Sequence, residues 1–90
     1  MAQVTVTVTE ELVKKGIAGS AYVCPVALAF REALPDDDGM VLTVRSYTNV
    51  GTIKYMHPDN VSQFIFDFDK GIDVTDRLPL TFTVDGKDFD

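Results

Sequence analysis

Gln3-Val4-Thr5-Val6-Thr7-Val8-Thr9 is the stretch from which the fold is read. Val4, Val6 and Val8 share one side and Thr5, Thr7 and Thr9 the other, the period of two that belongs to a strand. The β-branched content from Val4 to Thr9 agrees with that period. A second alternating run, Leu78-Pro79-Leu80-Thr81-Phe82-Thr83-Val84, stands near the other end of the chain. Pro79 cannot donate to a ladder, so this strand is expected to begin at an edge. Matching Val/Thr and Leu/Phe/Thr alternation predicts that the two strands lie side by side.

Between them the chain predicts three helices and two further strands. Thr9 suits a helix N-cap, Glu10 and Glu11 the first turn, Lys14 and Lys15 the last, and Gly16 the close. Residues 17–23 read as a loop. Pro25 opens a second helix, apolar around much of its girth through Val26, Ala27, Leu28, Ala29, Phe30, Ala33 and Leu34. Pro35 and Asp36-Asp37-Asp38-Gly39 stop it and form an exposed turn. Met40–Tyr47 and Gly51–Met56 read as a hairpin turning through Thr48-Asn49-Val50-Gly51. Leu42, Val44, Ile53 and Tyr55 are expected to face the core, and Thr43, Arg45, Thr52 and Lys54 to face away. His57-Pro58-Asp59-Asn60 opens the last helix, whose stripe is Val61, Phe64, Ile65 and Phe68, and Gly71 ends it.

The order is β-α-α-β-β-α-β in one domain, residues 1–90. It predicts an α+β two-layer sandwich, a four-stranded, mainly antiparallel sheet with helices on one face. Right-handed crossovers would make it ferredoxin-like; a meander with the terminal strands on one edge is the alternative.

Composition removes several functions. The chain is 46% apolar and 24% charged, with six Phe and three Tyr, too apolar for disorder. One cysteine excludes an intramolecular disulfide and a multi-thiolate metal site. A formal charge of -6 argues against gripping a nucleic-acid backbone. Residues 46–90 carry eight acids and four bases, so the acidity gathers in the second half. The first residues carry no export signal and no stretch is long and apolar enough to span a bilayer, so the expected setting is cytoplasmic. The exposed threonine face lacks the aromatics that stack single-stranded bases.

Candidate chemistry is sparse. Cys24 precedes a helix N-terminus that could activate its thiol, and His57 is the one imidazole available to it as a base. The pair is expected to be structural, with Cys24 packed or capping. Asp67-Phe68-Asp69-Lys70-Gly71-Ile72-Asp73 looks superficially like a calcium loop, but Gly71 stands where a fifth ligand belongs. Phosphate-cradling and common hydrolytic motifs are absent from the sequence. No metal or cofactor is expected. Phe66 lies off the helix stripe and marks either core covered on two sides or a contact patch. The candidate interaction surface is Asp59, Asp67, Asp69, Asp73, Asp76 and Phe66.

Val4-Thr5-Val6-Thr7, Glu10-Glu11, Gly16, Cys24-Pro25-Val26-Ala27-Leu28-Ala29 with Arg31, and Phe64-Ile65 with Phe68-Asp69-Lys70-Gly71 together resemble a family of small actinobacteriophage and prophage proteins. Its most specific segment is Cys-Pro-Val-Ala-Leu-Ala-hydrophobic-Arg. The resemblance covers residues 4–83 and brings no activity to transfer. It implies an accessory phage product inside a bacterial host cell. The expected function is non-enzymatic binding of a host or phage protein, serving host takeover, anti-defence or DNA mimicry through Asp59, Asp67, Asp69, Asp73, Asp76, Asp85, Asp88 and Asp90. The alternatives are an oligomer that binds a small ligand or nucleotide through Arg31, Arg45, Lys54 and Tyr47, and a structural phage protein without catalysis. A homodimer or higher homo-oligomer is compatible with each.

Overall fold

A computed structural model of the chain describes residues 2–35 and 39–88. Among these residues the fold is α+β, a curled antiparallel sheet of five strands with three α-helices. Strand β1 (Ala2–Val8) leads into α1 (Glu10–Lys15) and α2 (Pro25–Ala33). A meander of β2 (Val41–Thr43), β3 (Tyr47–Val50) and β4 (Ile53–Met56) follows. Helix α3 (Asp59–Asp69), a 3-10 turn at Thr75–Arg77 and β5 (Leu80–Asp88) complete the described chain.

The strands lie in the order β1-β5-β4-β3-β2. The terminal strands pair as their alternation predicts, Val4 opposite Val84 and Val6 opposite Phe82. Every pairing is antiparallel. The topology is therefore the meander with both terminal strands at one edge. A ferredoxin-like arrangement, whose split crossovers place the first strand inside the sheet between two others, is not what forms, because β1 stands at the edge.

The expected strand over residues 40–47 is in fact two, which raises the strand count from four to five. Val44-Arg45-Ser46 turns the chain, with the Val44 N–H donating to the Tyr47 carbonyl at 2.9 Å. Thr48-Asn49-Val50, expected as a turn, pairs as β3, and the hairpin turn moves to Gly51-Thr52. Gly51 has φ 61°, the conformation that the first position of a II′ hairpin turn demands. The inward set moves with it: Val41 and Thr43 are buried while Leu42 and Val44 are half-buried. Strand side chains alternate with period two, so a shift of one residue exchanges the two faces. Asp36, Asp37, Asp38 and Asp90 lie outside the described residues.

Local chemistry accounts for the helices. The Thr9 hydroxyl accepts from the Leu12 N–H at 3.3 Å, and Lys14–Glu10 and Lys15–Glu11 pair one turn apart. Helix α2 buries Val26, Ala27, Ala29 and Phe30, and α3 buries Val61, Phe64 and Ile65. Phe30 sits at the centre, its ring 5.4 Å from Tyr55, 6.0 Å from Phe82 and 6.1 Å from His57. Opposite Tyr55 stands Gly86, where a Cβ would lie 2.6 Å from the tyrosine ring. Among the described residues no helix is long and apolar enough to cross a membrane.

Candidate functional site

Cys24 and His57 are joined by two threonines. Cys24 caps α2, its sulfur accepting from the Ala27 N–H at 3.4 Å, and the Thr43 hydroxyl lies within hydrogen-bonding reach of it. Thr43 Oγ1 is 2.9 Å from Thr48 Oγ1, which is 2.6 Å from His57 Nε2. His57 Nδ1 is 3.2 Å from the Arg45 carbonyl.

That carbonyl sets the direction of the whole chain. It can only accept, so Nδ1 carries the imidazole proton and Nε2 is the acceptor. The Thr48 hydroxyl then donates to Nε2 and the Thr43 hydroxyl to Thr48, with the Cys24 sulfur at the far end of the path. Proton transfer along this path would create a thiolate and an imidazolium. Burial opposes both charges: it pushes the Cys24 thiol up and the His57 imidazole down to about 4. The resting arrangement is a neutral polar thread through the core. A cleft of about 220 Å3 beside it is lined by Ser20, Cys24, Thr43, Arg45 and Asp69.

The predicted acidic surface is largely occupied with the chain's own groups. Asp67, 7% exposed, pairs with Arg77 at 2.7 Å and accepts from Gln63 at 2.9 Å. The Arg77 guanidinium holds its carboxyl below the usual range. Asp69 accepts the Gly19 N–H at 2.9 Å, tying α3 to the 17–23 loop. Asp73 accepts both the N–H and the hydroxyl of Thr75, which holds its carboxyl low. These three carboxylates thus turn to three different partners rather than to one centre. Asp59 occupies the first turn of α3, and Asp76 is exposed in the 3-10 turn. Among the described residues no group of three or more His, Cys, Asp or Glu could hold a metal ion.

Phe66 is half-buried, with the Arg45 guanidinium 4.1 Å and the Lys70 ammonium 4.5 Å from its ring centroid. The off-stripe position is thus taken up by two cations. Of the candidate ligand contacts, Lys54 and Tyr47 meet at 4.4 Å, while Arg45 lies with Phe66 and Arg31 is exposed at the end of α2.

The two edges of the sheet are treated differently. Strand β2 is three residues long, and the Ala21 carbonyl of the preceding loop accepts the Thr43 N–H at 2.7 Å. Strand β1 is seven residues long and, among the described residues, pairs with β5 alone, in unbroken register from Ala2↔Gly86 to Val8↔Leu80. Among the described residues, no backbone hydrogen bond outside that ladder involves β1. It carries no charge, no proline and no bulge, the devices that ordinarily protect an edge. On its solvent side Thr5–Thr83 and Thr7–Thr81 join hydroxyls at 2.9 and 3.1 Å, and Gln3 donates to Asp85 at 3.2 Å.

No protein-family model, curated protein or solved structure matches the chain. Thr43 and Thr48 are the site residues that sequence reasoning passed over. The signal for them is Val41-x-Thr43 and Thr48-x-Val50, each a threonine two residues from an apolar partner. The turn-like composition of Thr48-Asn49-Val50-Gly51 hides that signal.

Proposed function

We propose that the chain is a non-enzymatic interaction protein, and that it binds protein by adding a strand to the free edge of β1. The observation that carries this reading is the edge itself: seven residues, uncharged, in unbroken register, with no backbone hydrogen bond outside the β5 ladder among the described residues, while the opposite edge is short and bonded to a loop. A bare strand offers a row of N–H and C=O groups to any extended chain, and backbone pairing supplies the affinity. This reading takes the helices as a layer on the valine face, leaving the threonine face and the β1 edge open.

Two further observations support it. Asp67, Asp69 and Asp73 bond the chain's own groups, which favours the edge over the acidic surface as the point of contact. The Cys24–His57 thread holds both groups neutral, which suits a structural role better than nucleophilic catalysis. The setting, as the resemblance of the Cys24–Arg31 segment implies, is that of an accessory phage product in a bacterial cell.

The test compares tagged wild type with Thr5→Lys, which sets a charge in the middle of the edge, and with Asp76→Asn on the acidic side. Association with protein, whether copies of itself or components of a bacterial lysate, is expected to be lost in the first variant and kept in the second. Association that survives Thr5→Lys would refute the edge as the site.

A further inference from the structure

We infer that the strand added to β1 is β1 of a second copy, paired antiparallel about a two-fold axis through Thr5. This inference rests on the strand-addition reading above and names its partner. Thr5 is the midpoint of Ala2–Val8, so a two-fold there uses the entire strand. The resulting pairs are Ala2 with Val8, Gln3 with Thr7, Val4 with Val6, and Thr5 with its own copy.

Every one of these pairs joins like with like. Directly opposed residues of two antiparallel strands lie on the same face of the sheet. Val4, Val6 and Val8 are buried on one face, and Gln3, Thr5 and Thr7 are exposed on the other. Pairing about Thr5 therefore continues the valine row of one copy into that of the other. It equally extends the threonine ladder, Thr83–Thr5 in one copy running on to Thr5–Thr83 in the next. A register displaced by one residue would set valine opposite threonine and leave apolar rows against water. The isologous arrangement is thus the one that the alternation selects, and it yields a continuous sheet of ten strands.

Charge points the same way. Each copy carries -6, so two copies repel wherever their charged surfaces approach. Strand β1 is a long uncharged stretch of the sheet boundary from which they can meet, whereas uncharged β2 is three residues long and bonded to the Ala21 carbonyl. It follows that the dimer tightens as salt screens the remaining repulsion, whereas a complex with a basic partner would loosen. A single strand pair is a small interface, so the dimer is of the weak, concentration-dependent kind.

Light scattering and sedimentation of the purified full chain, from roughly 10 to 500 µM, a range suited to weak association, make the test. The expected result is a rise from one chain mass to two, displaced to lower concentration by raising the salt. Thr5→Lys, which sets two lysines against each other at the axis, is expected to stay at one chain mass. Thr83→Lys sits one strand inward, breaks the same Thr5–Thr83 contact and is expected to dimerise. This control separates loss of the edge from damage to the fold, which circular dichroism of both variants monitors. A wild-type chain that remains at one mass throughout overturns the inference, as does a dimer that Thr5→Lys leaves intact. If the purified chain stays single while Thr5→Lys still abolishes capture of a lysate protein, strand addition stands and only the second copy is refuted. If capture is also insensitive to Thr5→Lys, both readings fall.

Discussion

Thr48 Oγ1 stands 2.6 Å from His57 Nε2 inside the core, where burial makes the neutral imidazole the state that the fold accepts. The neutral ring accepts the Thr48 proton and donates its own to the Arg45 carbonyl. Protonation at Nε2 would bury a charge and force the Thr48 hydroxyl to turn from donor to acceptor.

The first prediction concerns pH. His57 is lowered to about 4, below its usual 6.5, so between those values the unfolded chain binds the proton that the folded chain refuses. Stability is then full above about pH 6.5 and falls as pH drops toward 4, by about 3 kcal/mol in all. Asp67 and Asp73, both held low, lose their contribution at still lower pH, in the same direction. Urea unfolding from pH 7 to 4 and NMR titration of the one imidazole check this. A ring that titrates near 6.5 in the folded chain would contradict the buried arrangement.

Replacing the ring isolates its part. His57→Phe keeps an aromatic beside Phe30 and Phe82 but leaves the Thr48 hydroxyl and the Arg45 carbonyl without their partner. A loss of about 2–4 kcal/mol at pH 7 is expected from two orphaned polar groups. The dependence of stability on pH between 6.5 and 4 should flatten at the same time. A variant as pH-sensitive as wild type would assign the effect elsewhere.

Cys24 is 3% exposed and its thiol is pushed up by burial, against the smaller pull of the Ala27 N–H. A thiolate is the reactive form, so the folded chain should resist a disulfide reagent at pH 8 and react fully in denaturant. Rapid labelling without denaturant would revive Cys24 as a reactive group.

Gly86 leaves room for two neighbours on β4. A Cβ there would lie 2.5 Å from Ile53 Cγ2 and 2.6 Å from Tyr55 Cε1. Gly86→Ala should therefore destabilise the chain by about 1–3 kcal/mol, the usual consequence of overpacking. Thermal and urea unfolding measure it, and a neutral result would show that β5 shifts to make room.

Arg77 holds Asp67 at 2.7 Å. In Arg77→Ala the Asp67 carboxyl keeps the Gln63 hydrogen bond and the weaker pull of the Lys70 charge, so its pKa is expected to climb toward the ordinary carboxylate value. Carbon-detected NMR titration of the side chain reads this directly. An unmoved carboxyl would exclude the guanidinium as the cause.

The elements written in local pattern were legible in the chain. Val4-Thr5-Val6-Thr7-Val8 declares a strand, Thr9 with Glu10 and Glu11 a capped helix, and Val61, Phe64, Ile65 and Phe68 a helix stripe. Each signal spans a few neighbours, and periodicity reports it without reference to the rest of the molecule. Residues 40–51 were not legible in the same way, because Thr43 and Thr48 look like solvent-facing residues until their hydroxyls are known to bond to each other and to His57. A polar side chain enters a core only with its partner, and the partner is chosen by tertiary contact.

The acids and Phe66 tell the same story. Charge marked the acids as a candidate surface, and Phe66 stood open between core and contact patch; in the fold Asp67 is buried against Arg77, Asp69 accepts from Gly19 while staying exposed, and Phe66 lies half-buried under Arg45 and Lys70. What the sequence by itself determined was the α+β composition of elements and the pairing of two alternating terminal strands. What only the tertiary structure decided was the strand order, the Cys24–His57 thread and the bare edge of β1. Those depend on which surfaces, far apart in the chain, come to exclude water from one another.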